Sequence, residues 1–498
     1  MAFFVGAIGI YNHLPFRRLP GAGEETPTGY RAQHTYDARV TEFPDLLRLT
    51  AERVAEYRET VGTRPVTPSV DAAEVRALLG GPLPAEGADP SAVIEQLATA
   101  VEPALVATVG PRYFGFVVGG ALDSATCADV LATGWDQPAF NPTTSLAAAV
   151  VEEVVGAWLG QALGLPEDAS FGLVTGGQGA NTVGLAAARH RVLARAGWDV
   201  EARGLAGAPR IRVLASEETH ATIARSLRLL GIGTDALEPV AAAHNGAIDP
   251  AALARALDHA EPPTIVCLQA GNVNTGACDD LSAGCDLARQ RGVWVHVDGA
   301  FGLWAAASPS KRHLVDGLER ADSWALDGHK WLNVPYDTGY VFCVDRHAHA
   351  ASMSFTAAYL EGQDARSVRT PSDYVPESSR RARGFATWAA MRELGQRGLA
   401  ELVDRCCALA RRFAEQLDAV EGVEIGNEVV LNQVLVSFGS DERTDRVVAA
   451  VQRDGTCWMG GTEWRGRRYM RISVSNWSTT EADVDRSVAA IARLAQSA

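Results

Sequence analysis

The 498-residue sequence has no C-x-x-C pair. Its eight cysteines stand at 127, 267, 278, 285, 343, 406, 407 and 457, most of them inside apolar runs such as Thr264-Ile-Val-Cys-Leu. That pattern argues against a disulfide framework and against a zinc site. Positive charge is also short: 45 Lys and Arg stand against 60 Asp and Glu, a formal charge of −15. A protein whose main partner is nucleic acid needs the opposite sign, although a local basic pocket for one small phosphate stays open. No apolar run approaches the ~20 residues of a membrane span, so no membrane partner is expected. The apolar start, Met1-Ala-Phe-Phe-Val-Gly-Ala-Ile-Gly-Ile, lacks the basic n-region of a signal peptide and reads as a mobile or docking arm. A cytoplasmic location is the expectation. Internal repeats and low-complexity segments are missing too.

What is present is ordinary globular material, 47% hydrophobic and 21% charged. A chain this long can bury a large core without metals or disulfides, and about 150 residues per domain gives roughly three domains. Residues 1–120 read as an N-terminal arm and helical segment. A helix is expected from Phe43, where Leu46, Leu47, Val54 and Tyr57 recur at helical spacing, with short helices near Ala72–Leu79 and Pro90–Thr99. Residues 121–375 alternate helical stretches with continuously apolar runs at Ile211–Ala215, Thr264–Gln269, Val293–Val297, Ser323–Leu326 and Gly339–Val344. Unbroken apolar strands are covered by helices on both faces, which predicts a mostly parallel sheet in an α/β domain. Residues 376–498 suit a small α+β domain. It would have helices at Arg383–Leu394, Leu399–Val420, Thr444–Arg453 and Glu481–Ala495, strands at Glu421–Ile425, Asn432–Phe438 and Arg468–Val474, and a turn at Gly455–Gly461.

Two segments carry chemistry. His296-Val-Asp-Gly-Ala-Phe-Gly and Asp327-Gly-His-Lys330-Trp each follow an apolar run, so each is placed at the C-terminal end of a strand, where open α/β sheets bind ligands. Singly, Asp298 could be a strand-end cap and Lys330 a surface lysine. Together they suit pyridoxal 5'-phosphate: the lysine forms the Schiff base, and the acid keeps the ring nitrogen protonated so that the ring accepts electrons. The Gly-rich turn before Gly177 and Gln178 opens a strong helix whose free N–H groups suit a phosphate. It does not read G-x-G-x-x-G, because Thr182 stands at the third glycine position, which disfavours a dinucleotide. His220, just past a strand, is placed to stack on the cofactor ring.

His220, His296-Val-Asp298-Gly-Ala300 and Asp327-x-His329-Lys330 together resemble the group II pyridoxal-phosphate-dependent amino-acid decarboxylases. The resemblance covers roughly residues 40–495 and includes Met470-Arg-Ile-Ser-Val-Ser-Asn. It implies fold type I, the aspartate-aminotransferase type, with a mostly parallel seven-stranded large-domain sheet, a small C-terminal domain and a homodimer sharing its active sites. It also implies that Lys330 holds the cofactor, Asp298 pairs with the ring nitrogen, Ala300 packs on one ring face and His220 on the other. Gly177 and Gln178, with Asp327 or His329, would border the phosphate, and Asn272 and Asn274 would occupy a loop near the cofactor. Tyr359 matches the mobile-loop tyrosine implicated in protonating Cα, which favours simple decarboxylation over aldehyde formation.

Gly299, Phe301, Asp327 and Gln178 depart from common forms of the family motifs. They weaken the substrate assignment more than the chemistry. Phe114, Phe116, Trp135, Phe140 and Trp304 would suit an aromatic or bulky apolar L-amino acid, converted to its amine and CO₂. Another pyridoxal-phosphate reaction on the same fold stays open: aminotransferase, carbon–carbon lyase or aldehyde-forming oxidase. Arg471 could bind an α-carboxylate, as in transaminases, or form a structural salt bridge.

Overall fold

The computed structural model describes residues 42–258, 263–354 and 368–497. The N-terminal arm and Tyr359 lie outside them. Seven strands form the larger sheet: β1 (Ser170–Val174), β2 (Arg212–Ser216), β3 (Leu237–Val240), β4 (Thr264–Gln269), β5 (Trp294–Asp298), β6 (Ser323–Asp327) and β7 (Gly339–Cys343). Their order is β1-β7-β6-β5-β4-β2-β3. Strands β3, β2, β4, β5 and β6 run parallel, and β7 lies antiparallel to both β1 and β6. This is the mostly parallel seven-stranded sheet that the resemblance implied.

Every residue of β4, β5, β6 and β7 is buried, because helices cover both faces. That burial is why these strands read as unbroken apolar runs. β4 matches its expected span residue for residue, and β2, β5, β6 and β7 lie within one residue of theirs at each end. The run-based reading did not contain β1 or β3. β3 is a four-residue edge strand with Pro239 inside it, a position that tolerates a missing N–H. β1 is interrupted by Gly172, where a Cβ would sit 2.7 Å from Tyr374 O.

A second, antiparallel sheet holds β8 (Glu424–Ile425), β9 (Gln433–Ser437), β10 (Gly460–Trp464) and β11 (Arg467–Ser473), in the order β10-β11-β9-β8. The expected turn at Gly455–Gly461 therefore ends too late, since Gly460 and Gly461 already pair with β11. The two helices expected around residues 383–420 are present within Gly384–Asp418, separated by a break at Gly395, whose φ of 59° suits only glycine.

One stretch corrects the expectation about apolar runs. The helix Leu146–Leu163 is 18 residues long and apolar enough, by length and composition, to cross a membrane. Here it packs against the Gly384–Asp418 helix and β1. Its fully buried Glu152 pairs with Arg380 at 2.8 Å.

The two sheets are stitched together beside the strand ends. Phe114 N donates to Trp458 O (2.8 Å), and Ser473 N donates to Phe114 O (2.9 Å). Asn333, three residues after Lys330, accepts from Gly120 N (2.6 Å) and Trp477 N (3.0 Å) and donates to Ser475 O (2.9 Å). The turn carrying Lys330 is thus clamped from both sides. Gly119 packs so closely on it that a Cβ would fall 1.8 Å from Lys330 O.

Candidate functional site

Strands β1, β2, β4, β5 and β6 deliver their C-terminal ends to one cavity of about 430 Å³. β5 ends in Asp298, and the neighbouring β6 ends in Asp327 and turns into His329 and Lys330. β4 ends in Gln269, paired with Asp298 across the ladder. After β2 comes His220, the N-cap of helix Ala221–Leu229. After β1 the backbone turns at Gly176 into helix Gly177–Arg195. From the small sheet, β11 adds Arg471 to the lining, and the 113–120 segment adds Phe116 and Val117.

Asp298 is 4% exposed. Its Oδ1 accepts from Ala300 N (3.3 Å) and its Oδ2 from the Thr222 hydroxyl (3.4 Å). His220 Nδ1 accepts from Thr222 N (3.3 Å), which places the ring proton of the neutral imidazole on Nε2. The ring opens onto the cavity, but the surrounding walls withdraw water and push its pKa below the ordinary histidine value. Asp298 opposes that shift, and Lys330 and Arg471 add to it. Asp327 also opposes it, so one histidine senses four charged groups.

Lys330 Nζ lies 3.0 Å from Asp327 Oδ2, and His329 Nε2 lies 3.3 Å from Asp327 Oδ1. The same Oδ1 accepts from Gly177 N, so the aspartate sits at the positive end of the Gly177–Arg195 helix. His329 Nδ1 accepts from Thr338 N (3.1 Å), and burial holds its imidazole below its usual pKa.

Among the expected site residues, Lys330, Asp298, His220, Ala300, Gly177, Gln178, Asp327, His329 and Phe116 line this cavity. The Gln178 side chain is committed elsewhere, donating to Ser226 Oγ (2.8 Å) and Thr222 O (3.3 Å) on the next helix. Asn272 is buried and accepts from Asn274 N and Thr275 N, shaping its own loop, and Asn274 accepts from Thr462. Four expected aromatic residues stand outside the lining. Phe114 packs edge-on against Phe413 in the core, and Trp304 is fully buried, donating to Asp327 O. Trp135 is 53% exposed against Phe385, and Phe140 O accepts from Ser372 N. For Phe114 and Trp304, core packing claims the side chain, as it does for most large apolar groups.

Thr222, Asn181, Gln269, Thr175, Val117 and Val273 join the lining without having been expected. Arg471, which the sequence left between an α-carboxylate site and a salt bridge, lines the cavity as well, and its guanidinium has no hydrogen-bond or ionic partner among the described residues. The salt bridge that the sequence left open for it is not made there. Composition offers another pointer: the chain has only two lysines, Lys311 and Lys330. Lys311 Nζ donates to Val430 O (2.9 Å), which leaves Lys330 as the one lysine on the cavity.

The donor set fits pyridoxal 5'-phosphate. It offers a buried carboxylate for a ring nitrogen, an amine for the aldehyde, a small side chain and an imidazole for the two ring faces, and a helix start for the phosphate. The unpartnered Arg471 guanidinium lines the same cavity.

Residues 73–439 match the pyridoxal-dependent decarboxylase conserved domain. The chain is 28% identical over 463 residues to tryptophan decarboxylase 1 of Oryza sativa subsp. japonica, covering 86% of this chain and 89% of that protein. It is 25% identical over 480 residues to 4-hydroxyphenylacetaldehyde synthase of Rhodiola rosea, covering 92% and 96%. Among solved structures, Oryza sativa TDC with PLP and tryptamine superposes with a TM-score of 0.84 at 25% identity, covering 94% of this chain and 99% of that one. Mouse CSAD, at 24% identity and a TM-score of 0.83, covering 91% of this chain and 98% of that one, shares the fold.

Proposed function

The chain belongs to the pyridoxal-dependent decarboxylase family, and we propose from that premise that Lys330 holds the cofactor, Asp298 meets its ring nitrogen and the substrate is an aromatic L-amino acid. Decarboxylation with pyridoxal 5'-phosphate follows from the family. The residue roles and the substrate class are our reading. When bound, the cofactor supplies an electron-accepting ring for the pair released from the Cα–carboxylate bond.

The carrying observation is that Asp298, Lys330, His220 and Arg471, brought from four separate elements, line one cavity. Asp298, fixed through both oxygens, presents a carboxylate whose direction does not depend on the ligand. His220, with its proton on Nε2, covers one face of the ring, and Ala300 leaves room on the other. Arg471 orients the substrate carboxylate as it enters. Phe116, Val117, Val273 and Phe301 give the cavity an apolar side that suits an aromatic side chain and excludes water from the reacting centre. Tryptophan decarboxylase 1 and 4-hydroxyphenylacetaldehyde synthase, by the names they carry, act on or produce aromatic compounds, which supports the substrate class. Tyr359 keeps its proposed role in protonating Cα.

A homodimer in the cytoplasm is also part of this reading. The helix Phe43–Thr60 buries no residue in its own chain, and Phe43, Leu47 and Val54 stand exposed on it. Such a surface suits a second copy, and sedimentation of the purified protein measures it. The function is tested by incubating holoenzyme with each standard L-amino acid and measuring CO₂, amine, keto acid, aldehyde and peroxide. Equal amounts of CO₂ and an aromatic amine are expected. Keto acid without CO₂, or turnover confined to acidic amino acids, would overturn the proposal.

A further inference from the structure

Beneath Asp298 runs a chain of hydrogen bonds that the proposed reaction does not itself require. Trp294 Nε1 lies 3.1 Å from Ser323 Oγ, and Ser323 Oγ lies 2.9 Å from His296 Nδ1. His296 Nε2 lies 2.9 Å from Asn181 Oδ1, and Asn181 Nδ2 lies 3.1 Å from Thr222 Oγ1. Thr222 Oγ1 in turn reaches Asp298 Oδ2. The members come from β5, β6 and the helices Gly177–Arg195 and Ala221–Leu229. Trp294, Ser323, His296 and Asn181 are each no more than 2% exposed.

The direction of every bond follows from its ends. An indole N–H only donates, so Ser323 Oγ accepts from Trp294 and has its own proton free for His296 Nδ1. Burial drives the His296 pKa down to about 3, so the ring is neutral and its single proton must sit on Nε2, facing Asn181 Oδ1. The amide of Asn181 then presents its NH₂ to Thr222. The Thr222 hydroxyl, already accepting, has one proton to give, shared between the carboxylate of Asp298 (3.4 Å) and the unprotonated Nδ1 of His220 (3.0 Å), both of which can only accept. The chain therefore runs one way, from a group that can only donate to one that can only accept. Aligned bonds of this kind polarise one another in a water-free interior. Space for it is made by Gly184, where a Cβ would lie 2.6 Å from His296 Cε1.

We propose that Thr222, Asn181 and His296 are positioning residues for Asp298, acting as a one-directional hydrogen-bond chain that fixes how its carboxylate meets the cofactor ring. The assignment rests on the proposed role of Asp298. Thr222 is the branch point, because its oxygen is also 3.0 Å from His220 Nδ1. Asn181 supplies the hydrogen that the Thr222 oxygen accepts, which leaves the Thr222 proton free for Asp298 and His220. Asn181 hydrogen-bonds to Thr222 and His296 and not to His220, so its substitution reaches Asp298 only through Thr222.

The test uses holoenzyme of Thr222→Val, Thr222→Ser, Asn181→Asp and Asp298→Ala. Thr222→Val keeps the shape and loses the hydroxyl, and Thr222→Ser restores it. Asn181→Asp offers two acceptors where the chain needs a donor, and so draws the Thr222 proton away from Asp298. For Thr222→Val and Asn181→Asp we expect kcat to fall about tenfold or more, the scale of one hydrogen bond to a charged group, with KM within about twofold. The pH dependence of the bound cofactor's visible absorption should shift in both, and Thr222→Ser should return absorption and kcat to near wild type. Far-UV circular dichroism identifies any variant that does not fold, and the isosteric Thr222→Val carries the test if Asn181→Asp fails it. Wild-type absorption and turnover in folded Thr222→Val, beside a collapsed Asp298→Ala, would overturn the chain alone. Wild-type behaviour of Asp298→Ala would overturn the role of Asp298 and the chain with it.

Discussion

Lys330 Nζ stands 3.0 Å from Asp327 Oδ2, an ion pair closed within a single turn of chain. The aspartate is itself held by Gly177 N and by His329, so the lysine is tethered at the helix start where a phosphate group would be bound. The other lysine, Lys311, is tied to Val430 O.

That contrast makes covalent attachment easy to locate. Borohydride reduction of the holoenzyme should leave the cofactor's mass on the peptide containing Lys330 and none on that containing Lys311, read by peptide mass spectrometry. Lys330→Ala should lose the visible absorption band and at least about 10³-fold in kcat, as removal of a group acting in concert with others does. Label at Lys311 would reject Lys330.

Arg471 gives a second prediction. If its unpartnered guanidinium meets the substrate carboxylate, Arg471→Met should raise KM for the amino acid by about 10–100-fold, the scale of a charge-assisted hydrogen bond. Inhibition by the amine product, which has no carboxylate, should stay within about twofold of wild type. Equal weakening toward both ligands would point to a collapsed cavity.

Buried histidines set the acid side of stability. Burial pushes the pKa values of His296 and His349 down to about 3, while in the unfolded chain they titrate near 6.5. Between those values the unfolded state binds more protons, so stability rises with pH and is lost as pH falls below about 6.5. Each histidine can contribute up to about 1.4 kcal/mol per pH unit in that window. Asp279, pushed up to about 6 by burial, acts with the opposite sign between about 4 and 6. Urea unfolding of apo-protein from pH 7 to 5 should show falling stability, with a shallower slope in His349→Gln. An unchanged slope would remove His349 from the balance.

Tyr359→Phe, at a residue outside the described structure, should move product from amine toward aldehyde, measured as the ratio of the two by mass. An unchanged ratio would take Tyr359 out of the proton transfer.

Much of this was readable in one dimension. Strands buried on both faces must be apolar at every position, and the run Thr264–Gln269 announces itself by that alone. Asp298 and Lys330 were legible because each follows such a run directly, and a strand end in an open parallel sheet faces the ligand crevice. β1 and β3 were not, since one carries a glycine made necessary by a distant carbonyl and the other a proline that only an edge allows. Phe114, Trp135 and Trp304 show the converse: an aromatic ring suits a core, a surface contact or a pocket equally well, and spacing does not separate them.

Residue type and order alone pointed to the fold class, the strand ends and the placing of Asp298 and Lys330 at one cavity, because those follow from local burial and chain direction. Folding decided the company each group keeps. His296 and Asn181 are 115 positions apart, and Asn181 and Thr222 41 apart; they meet only because two helices pack on one sheet face. The direction of their hydrogen bonds, and the exposure of Arg471 to the same cavity, are properties of that packing and have no counterpart in the linear string.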